Sequence, residues 1–160
     1  MNRFAKVGTA LVVAACASGV AYAQMKPQDA IHARQAIMRV QGLTFGPLAA
    51  MAQGKIPFNK DAFVAGAMRL KAVWEMNPTG RFFPQGTDKA MPGSKIAEYT
   101  NALPAIWSEP AKFKKAAEHA TDAIDKLAAA AQSGDEGAMK AAAGGVGKAC
   151  KGCHEDFHAK

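Results

Sequence analysis

Residues 147–160 read G-K-A-C-K-G-C-H-E-D-F-H-A-K. They end a 160-residue sequence with only three cysteines, too few for a disulfide scaffold. The stretch falls in the last of four helical runs, from about Glu136 to Phe157. On a helix, Cys150 and Cys153 stand three residues apart and His154 stands four beyond Cys150. Two thiols and an imidazole therefore share one face. Just upstream, Ser133-Gly134-Asp135 is a tight turn. So short a connection makes the last two helices antiparallel neighbours.

Working back along the chain, the third helix begins around Leu103 to Ile106 and reaches about Gln132. Its apolar stripe is Ile106, Phe113, Ala117, Ala120, Ile124 and Leu127, with Pro110 marking a local break near the start. The second runs over roughly residues 60–76 with Phe63, Ala67, Leu70 and Trp74 on one face. Asn59 or Asp61 can cap it, and Asn77-Pro78-Thr79-Gly80 stops it. The first follows Pro27 and Asp29 and ends near Ala52. Ile31, Met38, Phe45 and Ala52 recur every seven residues beside Leu48, and Pro47 is expected to bend its second half. A long Gly- and Pro-rich connection, about residues 77–103, contains F-F-P-Q-G-T-D-K at 82–89. A segment that long and irregular is expected to pack over something. Sparse β-branched residues and abundant Ala, Leu, Met, Lys and Glu agree with an all-α chain of one domain.

The spacing C-x-x-C-H is the attachment signature of c-type haem. Cys150 and Cys153 can each form a thioether with one vinyl group, and His154 is placed to bring an imidazole nitrogen to the iron. A redox dithiol would sit at the start of a helix in a βαβ setting, which is absent. A zinc site would need a second ligand pair. A disulfide within one helix would stabilise little. Gly144, Gly145 and Gly147 precede the cysteines. Either they let a flat macrocycle approach the backbone or they mark a loosely wound, late-starting helix.

Residues 1–23 read as a targeting segment. Arg3 and Lys6 give a positive start, Val7 to Ala15 an apolar run, and Ala21-Tyr22-Ala23 a cleavage site before Gln24. The run is too short and broken for a membrane span. The expectation is export to the periplasm and a single mature domain over 24–160. The rival is a lipoprotein anchored through Cys16, since Val13-Ala14-Ala15-Cys16 resembles a lipoprotein cleavage site. Loss of the leader lowers the net charge from +7 to +5, because Arg3 and Lys6 leave with it. That balance suits an acidic partner. With no Lys/Arg run, nucleic acid is not expected. Nothing resembles a catalytic triad, phosphate loop or acid pair, so no enzymatic activity is expected.

The second axial position on the iron belongs to a His, a Met or nothing. His32 and His119 read as surface residues, and His158 lies four residues past His154. Met38, in the first helix's stripe, is a candidate ligand or plain core filler. Arg34 and Gln35 lie one turn earlier. Arg34 can pair with a haem propionate or sit on a solvated face.

Taken together, the sequence resembles the class II c-type cytochromes, the cytochrome c′ family. The likeness runs from K-P-Q-D-A at Lys26 through R-Q-A-I-M at Arg34 to Met38 and P-Q-G-T-D at Pro84 to Asp88. It continues through P-A-I-W-S-E-P-A-K-F at Pro104 to Phe113 and closes on the haem motif. It implies an antiparallel up-down-up-down four-helix bundle with covalent haem c on Cys150 and Cys153, and His154 as proximal ligand. Arg34 and Gln35 are implied on the propionate side, Met38 over the distal face, and a homodimer through the first two helices. The family divides at the distal position. A ligating Met38 resembles the low-spin branch and implies electron transfer with a redox partner. An empty iron site implies a high-spin protein that binds NO and CO. The former is the leading expectation and the latter its alternative. One departure stands out: where the family usually carries Arg four residues after the haem-binding histidine, this chain has His158.

Overall fold

The computed structural model describes residues 25–76, 79–88 and 100–159. The proposed leader, residues 1–23, lies outside them, as do the Asn77-Pro78 stop and the middle of the long connection. Five helices follow in order: α1 (Pro27–Ala52), α2 (Lys60–Glu75), a single turn α3 (Ala105–Ser108), α4 (Pro110–Ser133) and α5 (Glu136–Phe157).

The helix ends follow local chemistry. Pro27 opens α1 at a position where its missing N–H costs nothing. Asn59 is the cap of α2, its side chain accepting from the Ala62 N–H at 2.9 Å. Gly134 takes a left-handed φ of 74° to end α4, and Asp135 caps α5 through the Ala138 N–H at 2.5 Å. The break expected at Pro110 falls at Glu109, which divides α3 from α4. At Pro47, α1 continues without interruption. Leu43 and Pro47 are both exposed, so the carbonyl that Pro47 cannot serve lies on the solvent side.

The four long helices pack in a closed ring, α1 on α2, α2 on α4, α4 on α5, and α5 back on α1. The fold is an all-helical four-helix bundle. Its core draws Leu48 and Met51 from α1, Phe63, Ala67 and Leu70 from α2, Ile124 and Leu127 from α4, and Met139 and Val146 from α5. Gly66 lets α1 and α2 approach, since a Cβ there would meet the Leu48 side chain at 2.7 Å. One antiparallel bridge, Ala102 to His158, ties the end of α5 to the segment before α3. The Leu103 N–H donates to the Phe157 carbonyl at 3.0 Å, and the Ala159 N–H to the Asn101 carbonyl at 2.7 Å. No described helix is long and apolar enough to cross a membrane.

Candidate functional site

Between α1 and α5 the bundle opens into a largely apolar cavity of about 350 Å³. Cys150, Cys153 and His154 line it from α5, and Arg34, Gln35 and Met38 line it from α1. The six residues singled out in the sequence, more than a hundred positions apart, thus face one space.

Both cysteines are free thiols and half-buried. Burial raises the Cys150 pKa. Cys153 is pushed up to about 11 by burial first, and further by Cys150 and Asp156. The thiols are therefore held neutral. His154 sits at the cavity mouth, still open to solvent on one side. Loss of hydration on the other side, and then the neighbouring His158, hold its pKa below the ordinary value. That keeps the imidazole in the neutral form a metal requires. The His158 ring lies 5.4 Å from that of His154, centroid to centroid, and lines the same cavity.

Met38 is half-buried and is no part of the packed core. The core-filler alternative therefore gives way to a residue that lines the cavity. Arg34 needs a larger correction. It does not sit on a solvated face: the residue is 4 % exposed. Its guanidinium donates to Thr87 Oγ1 at 2.7 Å, to the Thr87 carbonyl at 2.5 Å and to Thr100 Oγ1 at 2.5 Å. It also lies over the Phe83 and Trp107 rings, at 5.0 and 6.0 Å. Burial lowers its pKa to about 10, with Asp88 opposing the shift. The cation still survives at neutral pH.

Thr87 is the residue that the sequence reading passed over. It is fully buried and donates through Oγ1 to the Pro84 carbonyl at 2.9 Å. Gly86, at a φ of 79°, makes the turn that presents it. Trp107 Nε1 reaches the Phe83 and Pro84 carbonyls, both at 3.1 Å. Residues 82–88 are thereby fixed between α1 and α3, where they pack over the end of the cavity. A chain of edge-on rings, Phe83 to Phe113 and Phe113 to Phe157, each 5.1 Å apart, continues that wall to α5.

The three glycines before the cysteines depart from both expectations. Helix α5 is continuous through Gly144, Gly145 and Gly147, so it does not start late. None of the three lines the cavity; Gly144 and Gly147 instead border a second depression on the outside of the bundle. His32 and His119 are exposed, as expected.

A family model described as Cytochrome C′ matches residues 29–158. The chain belongs to the cytochrome c′ family. Cytochrome c′ of Rubrivivax gelatinosus is 46% identical over 136 residues, covering 84% of this chain and 98% of the relative. Its crystal structure superimposes with a TM-score of 0.74, covering the same shares of the two chains at 41% identity. A ferrous variant of cytochrome c′ from Alcaligenes xylosoxidans, solved with bound NO, matches with a TM-score of 0.71 at 33% identity, covering 84% and 97% of the two chains. The family binds haem c covalently, and the residues here fit that group. Two free thiols and a neutral imidazole share one helix face, against an apolar cavity with one buried cation.

Proposed function

We propose that this chain carries one haem c and binds small gases, NO and CO, on the side covered by Met38. In this reading Cys150 and Cys153 form the two thioethers and His154 is the proximal ligand. Arg34 and Gln35 face the propionates, Arg34 as a cation already fixed by Thr87 and Thr100. Held there, haem c supplies an iron that alternates between ferric and ferrous and accepts a diatomic ligand. Met38 covers the opposite wall and keeps it apolar, so bulk water is excluded while a small neutral gas is admitted. The observation that carries this reading is that Met38 on α1 and His154 on α5 line one apolar cavity. It is supported by the NO-bound relative and by a variant of the same protein solved with carbon monoxide.

The second reading is a monohaem electron carrier in which the Met38 thioether closes the site as a sixth ligand. What favours it is the position of Met38 outside the core and facing the cavity. An optical spectrum of the ferric and dithionite-reduced protein, followed by carbon monoxide, separates the two. Broad high-spin bands and avid CO binding at neutral pH are expected. Sharp low-spin bands with the weak long-wavelength methionine-to-iron transition, and no CO shift, would replace gas binding by electron transfer.

The same proposal places the mature domain, residues 24–160, in the periplasm after removal of residues 1–23, with no catalytic activity of its own. Exposed Val40 and Leu43 on α1 and Met68 on α2 support a homodimer through these two helices.

A further inference from the structure

The outer depression between α1 and α5 has a volume of about 400 Å³. Its floor is apolar and mostly small: Phe45, Ala49 and Ala52 from α1, and Ala143, Gly144 and Gly147 from α5. The charged residues that line it are Lys140, Lys148 and Lys151; no carboxylate does. Lys140 pairs with Glu136 at 2.5 Å and lies over the Phe58 ring, and Lys151 pairs with Glu155 at 3.6 Å. Among the described residues Lys148 has no ion-pair partner. At about 100° per residue, Phe45, Ala49 and Ala52 point roughly opposite to Val40 and Leu43. A dimer through α1 and α2 therefore leaves the groove free. Two features connect it to the haem site: Phe45 lines both spaces, and Lys148 and Lys151 flank Cys150 in sequence.

We infer that this groove is the docking surface for an acidic electron-carrier protein, which seats an apolar side chain on the small-residue floor and sets carboxylates against the three lysines. The charge of the rim selects the sign of the partner, and the glycines give the floor its depth. The electron-delivery role rests on the haem reading above. One electron passes from the docked carrier to the ferric iron, oxidising the carrier by one electron and reducing the iron; no bond is made or broken. Phe45, the shared wall, keeps the docked surface close to the cavity.

Flavodoxin, a strongly acidic flavoprotein, serves as the probe. Its affinity for the full protein is measured by calorimetry at low ionic strength, and the rate of haem reduction by its reduced form is followed by stopped flow. Replacing Lys148→Glu with Lys151→Glu is expected to weaken binding and slow reduction by about tenfold or more and to flatten the salt dependence. Dithionite reduction and the optical spectrum should stay unchanged. Gly144→Leu, which fills the floor without altering charge, should also weaken binding. A Cβ at that position has open space, so the helix accepts it. Equal losses from Lys115→Glu with Lys126→Glu on α4 would mean that net charge alone is sensed, and would overturn the site. Unchanged affinity in the groove variants would overturn it too. Calorimetry does not depend on the iron, so a colourless protein would count against the haem reading while docking was still decided by affinity.

Discussion

Thr87→Val removes one oxygen from the interior and adds a methyl group of nearly the same size, so no large cavity opens. Two hydrogen bonds are lost: the one Thr87 Oγ1 accepts from Arg34 and the one it donates to the Pro84 carbonyl. Because Thr87 is fully buried and Arg34 4 % exposed, water does not readily replace them. A hydrogen bond to a charged donor contributes about 1.5–3 kcal/mol, and a neutral one about 1 kcal/mol. The Thr87 carbonyl and Thr100 still hold the second guanidinium nitrogen, which limits the damage. The net expectation is a loss of about 2–3 kcal/mol. Guanidinium unfolding of the haem-loaded protein, followed by far-ultraviolet circular dichroism, should show a lower midpoint at an unchanged slope. Thr44→Val provides the scale, since the Thr44 hydroxyl bonds only its own helix, at the Val40 carbonyl in an exposed setting. If Thr87→Val cost no more than Thr44→Val, the clamp around Arg34 would not be what holds residues 82–88 over the cavity.

Met38→Ala should leave haem attached while raising CO affinity in the ferrous protein, read by optical titration; lower affinity would show that Met38 does not act as the cover. In protein made without haem attachment, Cys153, at a pKa of about 11, should react with iodoacetamide at pH 8 about a hundredfold more slowly than an ordinary thiol. Its rate should keep climbing with pH towards 11, because only the thiolate reacts; a plateau near pH 9 would mean that the thiols are not buried in the haem-free chain. Gly145→Ala meets nothing within 4 Å and should stabilise α5 by up to about 1 kcal/mol. A lower unfolding midpoint would reveal a backbone requirement that the helix does not display.

How much of this was legible in the sequence depended on the range of the physics involved. Caps and stops are local, so Asn59, Gly134 and Asp135 could be read from a few residues each. The attachment motif is local too: three side chains on one turn of one helix. The depth of Arg34 is not. Its partners are 53 and 66 residues away, and whether a helical arginine is solvated or buried depends on whether distant acceptors meet it. Thr87 gave only a weak signal, a glycine one position earlier that permits the left-handed turn. The three glycines of α5 misled for the converse reason. Small residues announce that something comes close but not what it is, and two of them border the outer depression beside the haem cavity instead of the cavity itself.

The lowered pKa of Arg34 bears on what the clamp does. A base whose folded-state pKa falls below its ordinary value is, on balance, less comfortable as a cation inside than in water. The three hydrogen bonds and the two rings offset its desolvation only partly, so the charge itself adds no net stability. Its hold on the structure lies in the penalty for leaving it unpaired. Arg34→Met therefore should not behave as an independent loss. In the Thr87→Val background it removes the very donor left stranded, and the double variant should be more stable than the sum of the two single losses predicts by about 1 kcal/mol or more. Denaturant midpoints for the wild type, both single variants and the double variant close the cycle. Strict additivity would mean that Arg34 and Thr87 are stabilised separately, by the rings and by the Pro84 turn. The clamp would then be a coincidence of packing and not a coupling between α1 and the wall of the haem cavity.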